Sequence, residues 1–160
     1  MAGKREGFAV VVYREEDGWE AGMLPDRLIG DLDGLVAAVR QQPGTAIGFV
    51  DVADEFLVAL RARADGQVSL LLSDGSAAGD WDLATSVLGR VDPAARPPDD
   101  VVPIGDLDLF SDLGLDAGEL GEILGDLDAY ADEMLASIAG RLGFASALDR
   151  ALDAAGSWGS

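Results

Sequence analysis

The run Phe8-Ala9-Val10-Val11-Val12-Tyr13-Arg14 constrains the fold most, because its apolar residues are consecutive rather than alternate. Successive side chains of a strand point to opposite faces, so a strand apolar on both faces belongs in the middle of its sheet. Residues 15–18 then form an acidic turn ending in Asp17-Gly18, and the alternation of Trp19, Ala21 and Met23 predicts a hairpin partner that Pro25 ends. Leu32, Leu35, Val36 and Val39 carry helical spacing behind Asp31 or Asp33, and that helix stops before Pro43-Gly44.

Residues 45–51 and 55–64 return to strand character, and Asp65-Gly66 joins the second of these to a strand over residues 68–73, giving an antiparallel meander. After a small-residue loop, Trp81, Leu83, Ala84, Val87, Leu88 and Val91 mark a second helix. The expectation is an α+β fold, a five-stranded antiparallel sheet with two covering helices in the order β-β-α-β-β-β-α. Longin-like and profilin-like folds share that order by analogy.

Residues 1–7 are polar and predicted to fray. Pro93, Pro97, Pro98 and Pro103, together with Asp99 and Asp100, exclude a helix interior over residues 92–103 and predict an extended tether. The division expected is therefore a sheet part over 1–91, a linker over 92–103 and an acidic helical segment over 104–156, packed on or tethered to the first part. Residues 157–160, with Trp158, form a loose tail.

Within the helical segment, Asp116 and Glu119 have capping-box spacing, and Leu120, Ile123, Leu124 and Leu127 follow at i, i+3, i+4 and i+7. Gly118, Gly121 and Gly125 each weaken that helix by about 1 kcal/mol relative to alanine, so packing has to hold it. Asp132 and Glu133 suit a first turn, Leu135, Ile138 and Leu142 make the next stripe, and Gly143-Phe144 reads as a left-handed glycine cap. Leu148 and Leu152 restart the pattern in a last helix.

Composition narrows the chemistry. The 160 residues include 30 acidic and 11 basic side chains, a net charge of −19, and no histidine or cysteine. Residues 1–90 carry 8 basic and 15 acidic side chains, residues 91–160 carry 3 and 15, so the acid excess lies in the helical half. Such a charge repels nucleic-acid phosphates unless a basic patch overrides it, and the sequence shows no such patch. Zinc-type base deamination needs histidine or cysteine ligands, and a serine-histidine-carboxylate triad needs histidine, so both are excluded. Asp106, Asp108, Asp112 and Asp116 fail the EF-hand spacing, because Phe110 takes the third ligand position. No cofactor, no metal and no enzyme activity are expected. Without a secretory segment or an apolar run of about 20 residues, a cytoplasmic protein off the membrane is expected.

The segments DLGLDAGEL, DLDAYADEML and IAGRLGF, with FAVVVYREEDGWEAGMLPDRL and LLLSDGSAAGDWDLA upstream, resemble the actinobacterial tRNA adenosine deaminase-associated proteins. The likeness runs from Phe8 to about Leu148. It departs at Ala131, where the resemblance leads us to look for proline at the start of a helix. It implies association with the deaminase and carries no activity of its own. DLGLD is also similar to the acyl-carrier prosthetic site, but Ala117 stands where the modified serine would be.

Partner-binding candidates follow from charge and apolar residues in one short connection. Asp126, Asp128, Asp132 and Glu133 crowd together, while Tyr130 and Met134, where exposed, supply an apolar centre with an acidic rim, the alternative for either one being core packing. Asp74, Asp80 and Trp81 form a second candidate loop, where the structural alternative is Asp80 as helix N-cap and Trp81 packed on the sheet. The reading is an accessory protein that binds a protein partner, the tRNA adenosine deaminase being the one the resemblance suggests. Two alternatives stand beside it: a longin- or roadblock-like scaffold that forms a homodimer or binds a small GTPase, and a nucleic-acid mimic that inhibits the deaminase.

Overall fold

A computed structural model describes residues 7–16, 18–42, 45–63, 65–126 and 128–154. Expectations attached to residues 1–6, Asp17, Pro43, Gly44, Ala64, Leu127 and the tail with Trp158 lie outside them.

The central element is β1 (Gly7–Glu15), which pairs antiparallel with β2 (Gly18–Leu24) on one side and β3 (Ala46–Val52) on the other. Helix α1 (Leu32–Arg40) carries the chain from β2 over β1 to β3. Asp31 starts α1 by accepting a hydrogen bond from the Gly34 amide at 3.0 Å. The meander continues through β4 (Phe56–Ala62) and β5 (Val68–Leu72) into helix α2 (Asp82–Val91). A sixth strand, β6 (Ile104–Gly105), pairs with Leu71 and Leu72 of β5, giving the sheet order β2-β1-β3-β4-β5-β6.

The sixth strand corrects the expected five. Two residues behind Pro103 carry no period to read. What holds Gly105 there is its φ of +116° and a close approach to the Leu70 carbonyl, where a Cβ would stand 2.2 Å from the oxygen. Residues 92–103 run against the loop after β5, where the Val102 carbonyl accepts from the Gly75 amide at 2.7 Å.

Three helices follow: α3 (Ala117–Leu124), α4 (Ala131–Leu142) and α5 (Ala145–Ala154). Asp116 caps α3 by accepting from the Glu119 amide at 2.8 Å. Gly143, at φ +100°, ends α4, and the Phe144 amide turns back to the Ala139 carbonyl at 3.0 Å. These caps and the apolar stripes behind them match the expected positions.

Alternation along the strands sorts the apolar residues into two cores. Ala9, Val11, Val50 and Val58 face α1 and α2, whereas Val10, Val12, Ile47 and Phe49 face α3, α4 and α5. The sheet is thus the middle of three layers, which is why β1 and β3 carry apolar residues on both faces. Phe49 anchors the second core, with ring centroids 5.9 Å from Phe110 and 5.5 Å from Phe144. Among the described residues no helix is long and apolar enough to cross a membrane.

Candidate functional site

At one end of the sheet the turn between β3 and β4, the loop between β5 and α2 and the connection between α3 and α4 enclose an open cleft of about 620 Å³. The turn is unusual. Ala53 and Asp54 both adopt left-handed φ, 54° and 60°, and the Glu55 amide closes it on the Val52 carbonyl at 2.9 Å. Two successive left-handed residues in a tight turn favour Asn-Gly, and each non-glycine residue there costs roughly 1 kcal/mol or more.

Two carboxylates hold that conformation. Asp51, only 3% exposed at the end of β3, accepts from the Asp54 amide at 2.8 Å. Asp54 in turn accepts from the Asp132 amide at 3.0 Å, while its carbonyl accepts from the Ala131 amide at 3.3 Å. The turn therefore caps the N-terminus of α4, where a carboxylate is favoured by the unpaired amides and the helix dipole. Glu133 completes the same helix start by accepting from the Tyr130 amide at 2.9 Å.

No described cation neutralises this group, since the ion pairs among the described residues lie elsewhere. Burial, with the charges of Asp54 and Asp132 adding to it, pushes Asp51 from the ordinary 3.8 up to about 7. Burial, followed by Asp54, raises Asp132 as well.

The other two walls bring both sets of sequence candidates into one concavity. Asp74, Asp80 and Trp81 line the cleft from the β5–α2 loop, Asp126, Asp128 and Tyr130 from the α3–α4 connection, and Met134 from the first turn of α4. Asp132 and Glu133, in the first turn of α4, are not among the residues that line it. Asp74 accepts from the Ser76 amide at 2.9 Å, and Asp126 from the Asp128 amide at 3.0 Å, so each shapes its own loop. Glu55, Asp80 and Asp128 make no ion pair among the described residues.

Two expectations are corrected here. Met134 is 8% exposed and packs in the second core, because Ala131, Met134, Leu135 and Ile138 share the buried stripe of α4. Asp80 does not cap α2. Trp81 occupies the N-cap position without a side-chain cap, and its ring packs edge-on to Phe56 at 5.8 Å. The apolar residue that does stand out is Tyr130, 64% exposed, with Val101 at 47% across the cleft.

Asp51 and Asp54 were missed. The available signal was a lone charge in AIGFVDV, a strand otherwise free of polar side chains, followed by Ala-Asp where a tight turn favours glycine.

Residues 7–145 match the family described as Rv3753c-like tRNA adenosine deaminase-associated protein. The chain belongs to that family. Protein Rv3753c of Mycobacterium tuberculosis (strain ATCC 25618 / H37Rv) is 40% identical over 157 residues, covering 94% of this chain and 90% of that protein. No solved structure matches the chain, so the analogy with longin-like and profilin-like folds rests on element order alone.

Chemically, the cleft offers carboxylates around an aromatic and aliphatic floor. The described residues hold no group of three or more carboxylates placed to bind a metal ion. That combination suits recognition of a cationic, partly apolar surface.

Proposed function

We propose that this chain is a noncatalytic accessory protein that binds its partner, the tRNA adenosine deaminase of the family name, at the acidic cleft. The observation that carries the reading is the coincidence of exposed apolar surface with unpaired charge. Among the described residues four large apolar side chains are exposed, and two of them, Tyr130 and Val101, stand in the concavity lined by Asp54, Glu55, Asp74, Asp80, Asp126 and Asp128. Isolated exposed ion pairs are each worth under about 1 kcal/mol, so the carboxylates steer association while Tyr130 provides the anchor.

Binding kinetics with the purified deaminase test this. Asp80→Asn with Asp128→Asn should slow association several-fold at low salt, and the difference should shrink at high salt. Tyr130→Ala should speed dissociation by about tenfold or more, a loss of ~1.4 kcal/mol, without changing the melting temperature. Absence of any binding by the intact chain removes the deaminase as partner. Binding that ignores all three substitutions moves the interface away from the cleft.

A further inference from the structure

Granted the docking proposed above, the size and charge of the cleft decide which part of a partner enters it. Its carboxylates stand on more than one wall: Glu55 beside the β3–β4 turn, Asp80 on the β5–α2 loop, Asp126 and Asp128 on the α3–α4 connection. All four are exposed, and none makes an ion pair among the described residues. Of the 11 basic residues, Lys4 and Arg5 lie outside the described residues, and none of the other nine lines the cleft. The buried one, Arg61, gives its guanidinium to a two-pronged pair with Asp112 at 2.7 and 2.9 Å. Cations that neutralise the cleft therefore come from outside the described residues.

The volume limits the shape of what brings them. A helix about 10 Å across fills roughly 400 Å³ per turn, so a cleft of about 620 Å³ holds about one and a half turns. An amphipathic helix reads a groove through anchors at i, i+3, i+4 and i+7, a span of about two turns. A flat protein face would bridge the concavity without reaching the buried Phe56 and Ala77 in its lining. An extended segment does reach them, and its successive side chains point to opposite sides, which suits carboxylates on different walls. The exposed ring of Tyr130 and the half-buried ring of Trp81 lie in the same concavity. A guanidinium stacks on an aromatic face while its fork still reaches a carboxylate, which a compact ammonium does less well.

We propose that the cleft takes a short extended segment of the partner in which arginine stands next to an apolar residue. The guanidinium stacks on Tyr130 and pairs with Asp128 on the same loop, while the apolar side chain enters over Phe56 and Ala77.

The probe is a blocked nonapeptide with Arg-Leu-Arg-Leu-Arg at its centre. Trp19→Phe with Trp158→Phe leaves Trp81 as the one tryptophan, so its emission reports on the cleft, and calorimetry on the native chain measures the same affinity with no substitution. The expected result is saturable binding with a dissociation constant of about 100 μM or below, and roughly tenfold weaker binding when uncharged citrulline replaces arginine. Lysine in place of arginine, or glycine in place of leucine, should weaken binding about threefold or more. Asp80→Asn with Asp128→Asn should weaken it about fivefold, whereas Asp149→Asn with Asp153→Asn, the same charge change at exposed positions of α5, should cost less than about twofold. Equal losses in the two double variants, or binding that never saturates, mean general attraction to an acidic chain and overturn the proposal. A lysine peptide that binds as tightly overturns the assignment to arginine. Deaminase binding that depends on Asp80, Asp128 and Tyr130, while the peptide neither binds nor competes, leaves the docking site standing and overturns the extended segment. Peptide binding at the cleft without deaminase binding supports the segment and removes the deaminase as its source.

Discussion

Replacing Asp51 with asparagine removes a proton site while keeping the shape of the β3–β4 turn. The amide oxygen can still accept from the Asp54 amide, the one backbone hydrogen bond that the carboxyl receives. In the native chain burial pushes Asp51 from 3.8 to about 7, so the folded state holds its proton more tightly than the unfolded state does. Stability from this group is fully present below pH 4, falls as the pH rises from about 4 to about 7, and is flat above. At 1.36 kcal/mol per pH unit the whole swing is ~4 kcal/mol, and coupling to the raised Asp132 carboxyl brings the part belonging to Asp51 to roughly 2–4 kcal/mol. Urea unfolding of both proteins between pH 4.5 and 8.5 measures it. Asp51→Asn should match the native chain within about 1 kcal/mol at pH 4.5 and exceed it by roughly 2–4 kcal/mol at pH 8. General repulsion among the other carboxylates affects both proteins alike and cancels in the difference. Two stability curves that stay parallel across the whole pH range would falsify the assignment of the buried proton to Asp51.

Other substitutions probe neighbouring features. Ala53→Gly removes a left-handed non-glycine residue worth roughly 1–2 kcal/mol of strain and adds about 0.5–1 kcal/mol of chain entropy, so the urea midpoint should rise slightly; a fall would show that the turn is unstrained. Asp112→Asn leaves Arg61 buried beside a neutral partner and should cost about 1–3 kcal/mol at pH 7, less than a fully buried pair because Asp112 is 59% exposed. Since the Asp112 carboxyl is held below its ordinary 3.8, that difference should persist below pH 4 and shrink only as the pH falls through the lower folded value, which thermal melts taken stepwise from pH 7 into acid would show. Gly105→Ala puts a methyl group against the Leu70 carbonyl and should cost about 2 kcal/mol or more, with faster hydrogen exchange at the Asp106 amide; unchanged exchange would mean that β6 is dispensable.

What was legible in the sequence is what local chemistry decides. Val10 and Val12 beside Ala9 and Val11 announce a strand covered on both faces, and Asp116 and the Gly143-Phe144 pair announce helix ends, because spacing and caps act within a few residues. The candidate residues were legible one loop at a time: Asp126, Asp128 and Tyr130 in one, Asp74, Asp80 and Trp81 in another. Their convergence was not, since it depends on the β3–β4 turn reaching α4 through Asp54, a contact across 78 positions. The depth of Met134 stayed open between core and interface for a related reason. A methionine one turn from an exposed tyrosine looks like surface until the helix phase is fixed by Ala131 and Ile138 packing on the sheet.

The three-layer arrangement also bears on the order in which the chain can become a protein during synthesis. Once residues 7–91 have left the ribosome, the strands β1 to β5 and the helices of the first face are complete, yet Val10, Val12, Ile47 and Phe49 still face water. Their cover is encoded after residue 106, and the last piece of it, α5, packs against β2 near the other end of the sequence. A nascent chain therefore carries an uncovered apolar sheet face through much of its synthesis, the kind of surface that recruits chaperones or aggregates. Cutting the chain at residue 103 would make that transient state permanent, so the sheet half should be insoluble when produced alone.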